Sequence, residues 1–96
     1  MTDPQHKELY RLFSSIRDQK DAERLLRDLL SPAEINYIAK RWQIMRSVAA
    51  GVSHRTIAKA ARTSIAKVSR CARVMRYENG ALAARLKKLQ KKNIRM

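Results

Sequence analysis

Residues 53 to 71 read SHRTIAKAARTSIAKVSRC, and they indicate the fold more directly than any other part of the chain. Ser53 can cap a short helix, and a turn at residues 62–64 leads into a second helix that continues through about residue 75. Two short helices joined by so tight a turn are typical of a helix-turn-helix. We therefore expect this motif at about residues 53–76.

The two faces of the predicted motif differ in character. Ile57, Val68 and Cys71 are spaced to pack the two helices together, and Ala58 leaves room where the helices approach most closely. The opposite face of the second helix, and above all its N-terminal end, would face the major groove of DNA. The residues expected to contact DNA are His54, Arg55, Ala58, Lys59, Ser64, Ile65, Ala66, Lys67, Ser69, Arg70 and Arg73.

The turn of the motif departs from the usual pattern, because Arg62 occupies the position that commonly holds glycine. A left-handed backbone at Arg62 would cost on the order of 1 kcal/mol, and the alternative is a turn of different shape. An ordinary helical hairpin is the competing interpretation of the whole motif. A hairpin would not require paired alanines, a hydroxyl-lined helix start and an acid-free basic surface together.

The remaining sequence is also predicted to be helical, since apolar residues recur at steps of three and four. A first helix is expected over about residues 4–18, and a second short helix follows it; both carry apolar stripes that we interpret as packing faces. Ser31-Pro32-Ala33-Glu34 can form a capping box that starts a long third helix, which contains Trp42 as a core residue and ends at Gly51. A basic C-terminal helix is expected over about residues 81–93. The prediction is an all-α chain of about six helices in a single domain, residues 1–96.

The charge of the chain is large and unevenly distributed. Its 96 residues include 22 Lys and Arg against 8 Asp and Glu, a net charge of +14. A merely solvated basic surface would interleave acids with bases, but residues 35–77 contain no acidic residue. The basic residues of that segment are Lys40, Arg41, Arg46, Arg55, Lys59, Arg62, Lys67, Arg70, Arg73 and Arg76. Charge so concentrated favours an anionic partner, and it could follow a phosphate backbone.

Several other classes of protein are disfavoured. The single cysteine excludes an internal disulfide, and no Cys/His cluster has zinc-ligand spacing. No apolar run approaches the ~20 residues of a membrane span, so we expect no membrane partner. His6 and His54 are isolated, and neither a nucleophile-base pair nor a phosphate-cradling glycine loop is present. The chain is therefore not expected to be an enzyme.

From about residue 25 to residue 89 the sequence resembles the Trp repressor superfamily. The residues that carry the resemblance are the run Leu-Leu-Ser-Pro-Ala-Glu at 29–34, Lys40-Arg41-Trp42, Gly51, Ser53, Arg55, Ile57-Ala58, Ser64-Ile65-Ala66 and Val68-Ser69-Arg70. The resemblance implies an intertwined, Trp repressor-like homodimer whose fourth and fifth helices read DNA, and this family is itself a standard example of helix-turn-helix docking. It also implies a cytoplasmic bacterial protein that is nucleoid-associated when bound to DNA.

The resemblance further implies a site for a corepressor, although no cofactor is expected to be required. In tryptophan-responsive members, L-tryptophan lies between the third helix and the recognition helix, with its indole between two arginines. Arg41 and Arg70 match those arginines, and Ser31 stands where the family has threonine. The chain departs from the pattern at Cys71, where the family has glycine, and at Lys67, where it has threonine. The alternative is that Arg41 is a surface or intersubunit residue and that Arg70 contacts phosphate.

Taken together, these features predict a sequence-specific DNA-binding transcriptional regulator, a repressor that acts as a homodimer on double-stranded DNA. A dimer is expected because six short amphipathic helices expose more apolar surface than one small core can cover. The alternative is an architectural or nonspecific nucleic-acid-binding protein driven by charge alone. A specific regulator should prefer one site by ~10³-fold or more, whereas a charge-driven protein should bind any duplex with a steep salt dependence.

Overall fold

The computed structural model describes residues 3–77 and 80–94, and the chain divides into two compact units, Met1–Asn36 and Tyr37–Met96. Within the described residues there are six helices and no strand. They are α1 Pro4–Ser14, α2 Gln19–Leu29, α3 Pro32–Ala49, α4 His54–Ala61, α5 Ile65–Tyr77 and α6 Ala81–Ile94. The predicted all-α fold is therefore confirmed. No helix in the described ranges has the length and apolar character that crossing a bilayer would require.

In the first unit, α1 ends earlier than the sequence predicted. The prediction extended it to about residue 18, but α1 stops at Ser14. The reason is that Asp18 caps the next helix: its Oδ1 accepts a hydrogen bond of 2.8 Å from the amide of Asp21. A capping residue needs extended backbone, and Asp18 has φ −153° and ψ −179°, so it cannot also close α1.

The apolar stripes of α1 and α2 are only partly covered in the single chain. Neither helix contains a buried residue. Leu9, Leu12, Phe13 and Leu29 are between 38% and 44% exposed, whereas Leu25 and Leu26 are half-buried. The predicted packing faces are therefore present, but a single copy of the chain buries them only in part.

The start of α3 follows the predicted capping box. The hydroxyl of Ser31 accepts a 3.2 Å hydrogen bond from the Glu34 amide, and the Glu34 carboxylate accepts a 2.8 Å bond from the Ser31 amide. The second bond lowers the pKa of Glu34 below its ordinary value, because it stabilises the charged carboxylate. Two amides that the first turn would otherwise leave unsatisfied are thus paired.

The core lies in the second unit and joins α3, α4 and α5. Ile44 and Met45 of α3 pack with residues of α4 and α5, and Trp42 is partly buried against the same cluster. The buried members from α4 and α5 are Ile57, Ala58, Val68 and Cys71. The predicted packing of α4 on α5 is confirmed, since Val68 is completely buried.

The end of α3 is the glycine turn that the sequence predicted. Gly51 has φ +84°, a left-handed conformation that glycine adopts without a Cβ penalty. The amide of Val52 donates to the carbonyl of Ser47 at 3.1 Å, and the amide of Gly51 donates to Val48 at 3.0 Å. This pair of bonds closes α3 and turns the chain towards α4.

Candidate nucleic-acid interface and adjoining pocket

The first helix of the motif is short and capped at its start. Ser53 accepts a 3.2 Å hydrogen bond from the Thr56 amide, and its own hydroxyl donates to Thr56 Oγ1 at 2.8 Å. The helix then runs only from His54 to Ala61.

The turn between α4 and α5 uses a left-handed arginine. Arg62 has φ 54° and ψ 51°, so the first of the two predicted alternatives is correct. The amide of Thr63 donates to the Ala58 carbonyl at 2.9 Å, and the amide of Arg62 donates to Lys59 at 3.3 Å. These are the bonds of a turn that glycine usually makes, here formed despite the Cβ of arginine.

Ser64 starts the second helix of the motif. Its hydroxyl accepts a 3.1 Å hydrogen bond from the amide of Lys67, which identifies Ser64 rather than Thr63 as the cap of α5. Ser64, Ile65 and Ala66 are all exposed, and Ile65 retains 49% of its surface although it is a large apolar residue. The N-terminal end of α5 therefore presents small, hydroxyl and apolar groups to the outside.

Most of the residues expected to contact DNA lie on the exposed surface of these two helices. The exposed ones are Arg55, Lys59, Ser64, Ile65, Ala66, Lys67, Arg70 and Arg73. Ala58 differs from the rest of that set, because it is only 6% exposed and belongs to the core, which disfavours a contact with DNA. It serves the other role the sequence suggested, which is to let α4 and α5 approach closely.

His54 and Ser69 are brought together across the motif. Ser69 Oγ lies 3.4 Å from His54 Nδ1, and both side chains are partly buried. Both residues were expected to contact DNA, but the sequence could not predict that they contact each other, because they are 15 positions apart on different helices. The contact ties the start of α4 to the middle of α5.

A pocket of about 190 Å³ lies beside the motif, within the second unit. It gathers four of the residues that the resemblance assigned to a corepressor site: Arg41, Lys67, Arg70 and Cys71. The fifth, Ser31, is part of the first unit, where it caps α3.

Sequence reasoning missed several residues that line this pocket. They are Tyr37, Lys40, Ile44, Arg62 and Thr63. Tyr37, Arg41 and Ile44 are spaced i, i+4, i+7 and so share one face of α3, a signal that could have found two of them. The residues of the turn had no such signal, because only the tertiary fold brings them to α3.

The charged side chains around the motif and the pocket are predominantly basic. Within residues 3–77 and 80–94 the ion pairs are Arg11 with Glu8, Arg17 with Asp21, and Arg27 with Glu23, all in the first unit. The described residues contain no group of His, Cys, Asp and Glu that could hold a metal ion. The exposed cations of α4 and of the pocket can thus offer their positive charge to an external anion.

Comparisons with known proteins agree with this architecture. The model of the Trp repressor protein family matches residues 4–90. The fold is similar to the crystal structure of a TrpR-like protein from Eubacterium eligens ATCC 27750, with a TM-score of 0.79 and 21% sequence identity over 88% of this chain and 87% of that one. No curated protein matches the sequence. Because the family model covers nearly the whole chain, the protein belongs to the Trp repressor protein family.

Proposed function

We propose that this protein is a sequence-specific, DNA-binding transcriptional repressor that acts as a homodimer and inserts α5 into the major groove. The observation that carries the proposal is the exposed N-terminal end of α5. A left-handed turn and a serine cap present Ser64, Ile65 and Ala66 outward, and exposed basic residues surround them. Helix-turn-helix proteins read base edges with this part of the recognition helix.

The exposed and partly exposed residues of this surface divide into two roles. Ser64, Ile65, Ala66 and Ser69 carry no charge, and their small or apolar side chains suit contact with base edges. The exposed cations of α4 and α5 suit contact with phosphates, which gives affinity without sequence preference. Arg55 and Lys59 on α4 are assigned to this second role.

The chain would then act as one DNA-binding domain, residues 1–96, with its helix-turn-helix at about 53–76. That domain would include the basic C-terminal helix, which was expected at about 81–93 and is observed as Ala81–Ile94. Homodimer formation is supported by the open apolar stripe of α1, because two copies could cover each other's stripe.

The test compares substitutions at Ser69 and Arg55 on a preferred duplex and on random duplex DNA. Arg55→Ala should weaken binding to both duplexes and reduce the salt slope by about 1, because one phosphate contact is lost. Ser69→Ala should instead change the ratio of the two affinities. Arg46→Ala is the matched control, since Arg46 is an exposed arginine of α3 outside the motif.

If Ser69→Ala, like Arg55→Ala, changed the affinities for the preferred duplex and for random duplex DNA by the same factor, the proposed reading of bases by α5 would be wrong. A charge-driven architectural protein is the second candidate, and the net charge of +14 favours it. For such a protein, Arg46→Ala should weaken binding as much as Arg55→Ala does.

A further inference from the structure

The pocket beside the motif has an apolar floor and a cationic rim. Ile44 and Cys71 are 5% and 3% exposed, so they close the bottom of the cavity. The rim is formed by five exposed cationic residues from α3, the turn and α5: Lys40, Arg41, Arg62, Lys67 and Arg70. Cations from three separate segments therefore converge on one small space.

No acidic residue lines the pocket beside these cations. No Asp or Glu occurs between residues 35 and 77. None of the five rim residues forms an ion pair in the part of the chain that the structure describes, where the three ion pairs lie between residues 8 and 27. Mutual repulsion among the five would be relieved by a bound anion.

The chemistry of the lining also discriminates between kinds of anion. The ammonium group of an amino acid would be repelled by the five rim cations, and no acidic side chain lines the pocket to offset that repulsion. A ligand with two or more negative charges gains from several rim cations and brings no positive group against them. The volume of about 190 Å³ is below the roughly 300 Å³ at which pockets for drug-sized ligands begin, so the ligand must be compact.

We propose that this pocket binds a small polyanion, a phosphorylated or polycarboxylate metabolite, rather than the zwitterionic L-tryptophan that the family resemblance implies. The ligand would lie against Cys71 and Ile44 and be held by Arg41 from α3 and Arg70 from α5. This inference does not depend on DNA recognition, because ligand binding is a property of the chain alone.

Calorimetry on the full chain, with inorganic pyrophosphate as the probe, tests the proposal. We expect one pyrophosphate per chain, and L-tryptophan at the same concentration should give no binding. Arg41→Gln and Arg70→Gln should each weaken pyrophosphate binding at least tenfold. Arg46→Gln removes an exposed arginine of α3 that does not line the pocket, and it should change binding by less than twofold. Circular dichroism of each variant checks that it is folded.

Four results would overturn the proposal. The first is L-tryptophan binding as tightly as pyrophosphate. The second is no binding of pyrophosphate. The third is an equal loss of pyrophosphate binding in Arg46→Gln and Arg41→Gln, which would mean that only the overall charge matters. The fourth identifies the anion as a DNA phosphate: a bound duplex would then block pyrophosphate, and Arg41→Gln would weaken binding to every duplex. Pyrophosphate binding that persists in the DNA complex would support a separate small-molecule site.

Discussion

Arg62 illustrates a residue whose side chain and backbone have conflicting preferences. Its left-handed backbone is required by the turn between α4 and α5, and a non-glycine residue there costs about 1 kcal/mol. The arginine also belongs to the rim of the pocket. Retaining arginine at a glycine position is consistent with a use for its charge.

Substitution of Arg62 separates these two contributions. Arg62→Gly should raise the free energy of unfolding by roughly 1 kcal/mol, because the strain of the left-handed conformation is relieved. Arg62→Ala keeps the Cβ and removes the charge, so it should leave the stability within about 0.5 kcal/mol of the wild type. Urea denaturation of both variants measures the difference. Equal stability of the glycine and alanine variants would show that the turn is not strained.

At the scale of whole elements, predictions succeeded where the signal was local. The start of α3 was predictable because the cap and its partner, Ser31 and Glu34, are three residues apart. The end of α1 was not, because the capping preference of Asp18 competes with a continuing apolar stripe. Ala58 was assigned to DNA contact as well as to packing, and only its burial in the fold decides between the two roles.

The residues of the candidate site, too, could be predicted only in part from the sequence. Arg41 and Arg70 were found through the family resemblance, and the fold places both at one pocket. Thr63 and Arg62 were not assigned to it, because their approach to α3 depends on how α4 and α5 pack. Sequence spacing describes one helix at a time, so contacts between segments require the tertiary structure.

The capping box of α3 predicts a specific pH dependence. Because the Ser31 amide lowers the pKa of Glu34 in the folded chain, its stabilising effect is fully present above the ordinary value of 4.5. That effect is lost as the pH falls through the lowered pKa, since the protonated carboxyl is a weaker acceptor. Glu34→Gln keeps an oxygen acceptor that does not titrate. The melting temperature of the wild type should therefore fall relative to that of Glu34→Gln below pH 4.5; parallel curves would contradict the assignment.

At the scale of the whole molecule, the exposed apolar surface of α1 is the feature on which the proposed homodimer rests. Phe13 is 44% exposed, so covering it would contribute roughly half of the ~1.5–3 kcal/mol of full burial, and a carboxylate in its place would be buried without a partner. If the homodimer covers it, Phe13→Glu should weaken dimerisation at least about tenfold. Ser14→Glu adds the same charge at the neighbouring exposed position and should have a smaller effect. Sedimentation that shows only monomers of the wild type at micromolar concentration, with undiminished DNA binding, would exclude the dimer.

The central claim is that α5 reads DNA sequence and that the large positive charge only supports this reading. Selection of duplexes from a random pool by the purified protein, followed by affinity measurement at fixed salt, tests it most directly. The account predicts that the selected duplexes share an inverted repeat with half-sites about one helical turn apart, and that they bind ~10³-fold or more tightly than scrambled duplexes. A pool that shows no enriched sequence, with equal affinity for selected and scrambled duplexes, would contradict it.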